Sequence, residues 1–485
     1  MRRPNILWFC TDQQRYDTIS CLGNSYIHTP NLDRLVREGT AFTRAYCQNP
    51  ICTPSRSSFL TGRYPRTVRG SICGNDHFSK DETLVTKMLA DGGYTCGLVG
   101  KLHLTSHYRR MEERTDDGYS YIEYSPQPCD DWEPGVNRYM EWLKDKGVDW
   151  HKEYRMPCEW PPRNGYVIPE RIKGMEEEDH QTTWGVEQAM HYIETRGDDK
   201  PWCLSVNIFD PHPPFDPPEA YKKKLRIEDM PLPLWEEGEL DNKPFAHKDC
   251  YLHGSQNGMV RDTVGMTDDE KRECTRDYYA QIHLIDHQLG RLLDFLEEKQ
   301  LRESTIVIFT SDHGEMLGDH GIYWKGGYFY EGLIHVPLIF SCPGLISEGV
   351  VSPALVELVD IAPTLLEFAG LPVPEYIQGK SLKPLLLGQA PANHHKDRVY
   401  AEYYFSTILM HQICATMMFD GRYKIVIHHG EEICELYDLE EDPDEFHNLW
   451  NRPGYETLQN RLTRECFDNA ILCNIDKVMG RRFNY

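Results

Sequence analysis

Five short, apolar, β-rich runs, at residues 5–10, 96–99, 202–209, 305–310 and 337–341, are spread along the chain and separated by stretches of helical or loop character. Runs that stay apolar instead of alternating are expected to be buried on both faces, as in a parallel sheet covered by helices. Parallel strands need long crossovers, and the clearest is the segment 268–299. There Ile282, Ile285, Leu289, Leu292, Leu293 and Leu296 follow three-and-four spacing, so one stripe packs on the sheet before the run at 305. Thr29-Pro30 opens a shorter helix with Leu32, Leu35 and Val36 turned inward, and Gly39 closes it. The pattern predicts an α/β fold, a mostly parallel sheet flanked by helices.

After about residue 388 the pattern changes. Segments 398–404, 413–419, 423–428 and 435–439 read as short antiparallel strands, followed by a terminal helix from about 455. The expected division is a catalytic α/β domain over 1–388 and a smaller C-terminal α+β subdomain over 389–485. Two stretches, 105–200 and 213–266, are rich in Pro, Trp, Tyr and charge and show little periodicity. They are expected to be insertions near the site, where long loops set specificity.

Lys plus Arg number 52 against 76 Asp plus Glu, a formal net charge of −24. That balance disfavours nucleic acid and anionic membranes as partners, and an anionic substrate would need a local cationic pocket. No stretch approaches the roughly 18 apolar residues of a membrane span, and the first residues lack the layout of a signal peptide. The 16 cysteines are scattered without a compact disulfide framework, and no N-x-Ser/Thr sequon occurs. Reduced thiols in the cytoplasm are the expectation.

Residues of catalytic type follow four of the runs almost at once: Asp12-Gln13, then Lys101 and His103, then His212, then Asp312-His313. In open α/β sheets the carboxyl ends of the strands face the ligand crevice, so these groups should converge. Two carboxylates, an amide oxygen and an imidazole from Asp12, Gln13, Asp312 and His313 suit a hard divalent cation, calcium first. The imidazole leaves manganese, magnesium and zinc open. Taken singly, strand-end carboxylates more often cap turns. In the segment 52–63, Thr53 can cap a helix, Pro54 suits its first position and Gly62 its stop. Cys52 then lies at a helix N-terminus, which favours anions and lowers a thiol pKa, and Arg56 adds a fixed positive charge one turn on. A buried cysteine beside a helix is the ordinary alternative.

The run Cys52-x-Pro54-Ser55-Arg56, followed by Leu60-Thr61-Gly62, resembles the signature of type I, formylglycine-dependent sulfatases of the alkaline phosphatase superfamily. The likeness extends to Pro4-Asn5-Ile6-Leu7 with Asp12, Thr29-Pro30-Asn31-Leu32-Asp33, Gly100-Lys101-Leu102-His103, Pro211-His212-Pro213-Pro214-Phe215, Ser311-Asp312-His313-Gly314-Glu315, Trp324-Lys325, and the tail segments Gly421-Arg422-Tyr423-Lys424 and Glu435-Leu436-Tyr437-Asp438-Leu439.

The resemblance implies an alkaline-phosphatase-like fold and a sulfuric ester hydrolase. It implies that a maturation enzyme oxidises Cys52 to formylglycine, which joins Asp12, Gln13, Asp312 and His313 around one divalent metal. As a hydrated aldehyde, position 52 would present one hydroxyl to attack sulfur and a second to expel sulfate by collapse to the aldehyde. Lys101 and Lys325 would neutralise the sulfate. Arg56 and His103 would hold the formylglycine, with His103 a candidate for taking the proton of the second hydroxyl, and His212 would protonate the leaving oxygen or hydrogen-bond to it.

Many sulfatases carry a second Asp where this chain has Gln13, and Gln there also resembles phosphonate monoester hydrolases, whereas Gly100-Lys101-Leu102-His103 follows the sulfatase pattern. The expected substrate is a sulfated small molecule or oligosaccharide, of glycosaminoglycan or mucin type first. Choline sulfate and aryl sulfates are the other substrates open, and the alternative functions are a phosphonate monoester or phosphodiester hydrolase and a catalytically silent protein that holds an anionic glycan. Asp319-His320 and Asn75 with His77 are secondary site candidates. The basic, aromatic tail Gly480 to Tyr485 is a candidate docking segment for a second copy.

Overall fold

All seven residues of β1 (Asn5–Thr11) are buried, because the strand has a neighbour on each side and a helical layer on each face. The computed structural model describes residues 3–107, 110–128, 133, 135–153, 174–197, 199–254, 262–407 and 411–473. The tail 480–485 lies outside them, as does part of each insertion.

The other strands are β2 (Gly39–Phe42), β3 (Ala45–Tyr46), β4 (Thr95–Gly100), β5 (Tyr119–Tyr124), β6 (Trp202–Asn207), β7 (Thr305–Ser311), β8 (Leu338–Ser341), β9 (Val350–Ser352), β10 (Val356–Glu357), β11 (Val399–Tyr404), β12 (Cys414–Phe419), β13 (Tyr423–His428) and β14 (Glu435–Asp438). Eight form the main sheet in the order β5-β4-β6-β1-β7-β8-β2-β9. The first five run parallel; β8 is antiparallel to both β7 and β2, and β9 is parallel to β2.

Alternate residues of the strands serve opposite layers. Leu7, Phe9, Leu204, Val206, Val307 and Phe309 pack with Leu289, Leu292, Leu293 and Leu296 of the helix Asp268–Glu298. Ile6, Trp8, Ile306 and Ile308 pack on the other face with Phe59, Leu89 and Leu365, from the helices Cys52–Thr61, Val85–Asp91 and Ile361–Phe368. Each such side chain contributes about 1.5–3 kcal/mol by leaving water, and together they hold the carboxyl ends of β1, β4, β6 and β7 in register.

Two boundaries differ from expectation. Gly39 does not close the helix Pro30–Arg37; Glu38 does, and Gly39 begins β2. A Cβ at 39 would lie 2.2 Å from the Phe340 carbonyl oxygen, so the glycine serves the close approach of β2 to β8. The helix expected to begin after a Thr53 cap begins at Cys52, with Ile51 as an uncapped extended residue; Gly62 ends it in a left-handed conformation, φ 70°. The insertions also hold regular structure: β5 at the sheet edge, the helix Gln181–Thr195 and the helix Phe245–His253.

β11 to β14 form an antiparallel meander. The helix Glu456–Cys473 covers one face through Leu462 and Cys466, while Ala401, Tyr403, Ala415 and Met417 on the other face join the main core. The fold is thus a mostly parallel α/β sheet flanked by helices, with a smaller C-terminal α+β subdomain. Among the described residues no helix is long and apolar enough to cross a membrane.

Candidate active site

Asp12 follows β1, Lys101 follows β4 and Asp312 follows β7 directly, so the sheet delivers the three side chains to one edge. The helix Cys52–Thr61, buried along its whole length, presents its first residue to the same edge. Asp12, Cys52, Asp312 and His313 offer ligand atoms all within 4.8 Å of one another, and all four are buried. Cys52 Sγ lies 3.2 Å from His313 Nε2, 2.9 Å from Lys325 Nζ and 3.6 Å from Asp12 Oδ1. Lys101 pairs with Asp12 Oδ2. Arg56 Nε donates to Asp312 Oδ2 at 2.9 Å, and its Nη2 is 3.7 Å from Asp12.

The electrostatics follow from that crowding. Burial pushes the Asp12 carboxyl up, but Lys101, Lys325, His212 and Arg56 outweigh it and hold the group well below the usual range. Burial and Asp12 push the Cys52 thiol up; Lys101, Lys325 and His313 reverse them and leave it below its ordinary value. Burial would lower Lys325, yet Cys52, Asp12 and Asp312 raise it, so the ammonium stays charged. The Cys52 thiol is therefore buried in a cationic setting, unlike an ordinary core cysteine.

The donor set fits a divalent cation. His313 donates Nδ1–H to the Gly314 carbonyl at 2.8 Å, which turns the Nε2 lone pair toward Cys52 and the two carboxylates. Asp312 Oδ1 accepts the backbone N–H groups of Gln13 and His313 at 3.1 and 3.0 Å, fixing its plane. Gln13, at φ 74°, donates its side-chain nitrogen to Glu315 and leaves Oε1 buried without a hydrogen-bond partner. An orphaned amide oxygen at a carboxylate cluster is what a cation would satisfy.

Two expected residues stand farther back. His103, in a left-handed conformation at φ 60°, has Nε2 3.9 Å from Cys73 Sγ and its ring edge-on to His107 at 4.5 Å. Burial, Lys101 and His107 hold its imidazole well below the ordinary value. His212 follows β6 after a short loop; its Nδ1 is 2.7 Å from the Pro213 carbonyl and its ring is edge-on to Trp324 at 5.8 Å. Burial and Lys325 lower its pKa as well.

Of the secondary candidates, Asp319 pairs with Arg15, His320 with Glu239 and His77 with Glu113, so each has a structural partner. Two supporting carboxylates went unremarked in the sequence. Glu112 accepts the successive backbone N–H groups of His103, Leu104 and Thr105 at 2.7, 2.7 and 3.2 Å and shapes the loop that bears His103. Glu315 ties Gln13 to the backbone of Leu317 and Trp324, one residue before Lys325.

The family model described as Sulfatase matches residues 4–371. The chain belongs to the sulfatase family. A second model, for the C-terminal part of N-sulphoglucosamine sulphohydrolase, matches residues 318–470. An arylsulfatase of Clostridium perfringens is 31% identical to this sulfatase over 472 residues, covering 94% of this chain and 92% of that protein. An N-acetylglucosamine-6-O-sulfatase of Bacteroides thetaiotaomicron is 28% identical, with 95% and 85% covered. Among solved structures, a phosphonate monoester hydrolase of Agrobacterium radiobacter superposes on this sulfatase with a TM-score of 0.81 at 26% identity, covering 97% of this chain and 96% of that one. The enzyme is a sulfuric ester hydrolase with an alkaline-phosphatase-like fold.

Proposed function

We propose that this sulfatase hydrolyses a carbohydrate sulfate ester with a formylglycine made from Cys52. The observation that carries the reading is the position of Cys52 Sγ, 2.9 Å from Lys325 Nζ and 3.2 Å from His313 Nε2 at the cationic sheet edge. Matured, position 52 supplies a hydrated aldehyde, one hydroxyl for the sulfur and one for release. Asp12, Gln13, Asp312 and His313 would hold a divalent cation, calcium first by the oxygen-rich set, supplying charge that polarises the sulfate and acidifies the attacking hydroxyl.

The chain's own residues do the rest. Lys101 and Lys325 neutralise the sulfate oxygens from fixed positions, a stabilisation that needs no reorganisation during reaction. Arg56, anchored on Asp312, holds the first turn of its helix and so aims position 52. His212 is the residue to protonate the leaving oxygen or hydrogen-bond to it. His103 takes the proton of the second hydroxyl, on the loop that Glu112 fixes.

The carbohydrate assignment draws on the N-acetylglucosamine-6-O-sulfatase relative. A second reading, phosphonate monoester or phosphodiester hydrolysis, draws on Gln13, an uncharged residue among the metal donors, and on the Agrobacterium neighbour. We also propose action in the cytoplasm, a reducing compartment, which agrees with the free thiols of the cysteines among the described residues.

Sulfate release by ion chromatography from sulfated amino sugars, glycosaminoglycan fragments, choline sulfate and an aryl sulfate tests the reading. The enzyme is to be produced with a formylglycine-generating enzyme. Expected is turnover of an amino-sugar or glycosaminoglycan sulfate that falls by at least about four orders of magnitude in Cys52→Ala. Faster cleavage of a phosphonate monoester than of any sulfate overturns it in favour of the second reading.

A further inference from the structure

A second cluster of metal-ligating side chains lies where the helix Phe245–His253 meets β13 and β14. His247, His428 and Glu435 are all buried, and one ligand atom from each falls within 4.8 Å of the other two. His428 Nε2 is 2.8 Å and His247 Nε2 is 3.7 Å from the same oxygen, Glu435 Oε1. A tetrahedral zinc ion with ligand bonds of about 2.0–2.1 Å sets its ligands about 3.4 Å apart, and the two separations straddle that value.

The hydrogen bonding of His247 points the same way. Its Nδ1 is 2.9 Å from the Tyr330 hydroxyl, whereas its Nε2 is buried without a hydrogen-bond partner. Donation of Nδ1–H to Tyr330 leaves Nε2 as a bare lone pair. The opposite tautomer would bury an unsatisfied N–H, at a cost of about 1–3 kcal/mol. Glu435 is oriented by an outer hydrogen bond as well, its Oε2 accepting the Tyr437 hydroxyl at 2.6 Å. The neighbouring cation, Lys243, donates to the Tyr330 hydroxyl at 3.1 Å and the Glu445 carbonyl at 2.6 Å, and so has hydrogen-bond partners outside the triangle although its charge also acts on Glu435.

We propose that His247, His428 and Glu435 form a second, structural metal site for zinc, with a water in the fourth position. The site joins the insertion helix to the C-terminal sheet and shares no residue with Asp12, Cys52, Asp312 and His313. The rings of Tyr328 and Tyr330 lie edge-on to His247 at 4.9 and 5.5 Å, so the staple braces the segment that delivers Lys325.

The test is the zinc content of the full-length enzyme after a weak-chelator wash, measured by plasma mass spectrometry, with folding checked by circular dichroism. Wild type is expected to keep one zinc per chain that His247→Ala and His428→Ala each lose. Wild-type crystals grown in zinc are expected to give an anomalous peak about 2.0–2.1 Å from both Nε2 atoms, a readout that stands even where the variants fail to fold. Equal zinc in wild type and both folded variants, or an anomalous map with no peak between the two imidazoles, overturns the proposal.

Discussion

At the floor of the active site Lys101, Lys325 and Arg56 face Asp12 and Asp312, while at the seam with the C-terminal sheet Lys424 is shared between Glu331 at 2.9 Å and Glu445 at 2.6 Å. Both groups are buried, but their surroundings differ. In the seam, Glu331 also accepts from Tyr46 at 3.1 Å and pairs with His335 at 2.8 Å, so that cluster is closed on itself. The floor has three fixed cations for two carboxylates, and Gln13 adds no charge. Buried ions closed on one another serve packing and orientation, whereas an imbalance of buried cations is a standing demand for an anion.

The comparison breaks if the two lysines behave alike. Lys325→Ala is expected to lower kcat for the sulfate ester by about two to three orders of magnitude, measured by steady-state sulfate release, with the thermal midpoint little changed. Lys424→Ala should do the reverse: it leaves Glu331 and Glu445 buried without their cation and costs about 3–5 kcal/mol of stability in denaturant titrations. Turnover per folded molecule should be near wild type. A large kcat loss in Lys424→Ala with unchanged stability would mean that the seam belongs to the catalytic machinery.

A smaller effect sharpens the contrast through pH. Burial pushes Glu331 up, but Lys424 and His335 outweigh it and hold the carboxyl well below its ordinary 4.5. A depressed folded pKa gives stability that is present above 4.5 and is lost as pH falls below it, because the unfolded chain takes up the proton first. Thermal midpoints recorded below pH 4.5 should therefore fall more steeply for wild type than for Glu331→Gln. Parallel curves would show that the seam does not report this carboxylate.

The residues that were legible in the sequence share one physical reason. β1, β4, β6 and β7 are apolar on both faces, so they stand out as continuous runs, and Asp12, Lys101 and Asp312 are marked by following them at once. Lys325 follows no strand, and only family likeness pointed to it. β9 is only three residues long and β2, Gly-Thr-Ala-Phe, carries a single large apolar side chain, so neither stands out, and Gly39 looks like a helix stop because a glycine demanded by the neighbouring backbone is spelled the same way as one demanded by a turn. The helix Gln181–Thr195 went unread because Gln181, Thr182 and Thr183 are buried polar residues that interrupt its apolar stripe. Glu112 acts through backbone groups nine to seven residues earlier, a contact with no sequence signature. Thr53 has the general preference of a cap, but its hydroxyl lies 3.7 Å from Cys73 Sγ.

Every residue of the helix Cys52–Thr61 is buried, and Cys52 itself is 1% exposed. The proposed maturation enzyme would have to reach Cys52 before this helix is packed, since the folded molecule covers the whole segment. Under the proposed maturation, oxidation of Cys52 would be a race against folding: a chain that wins its structure early would be locked out of its own chemistry. Conditions that slow folding during synthesis should raise the active fraction, and no later treatment short of unfolding should recover the rest.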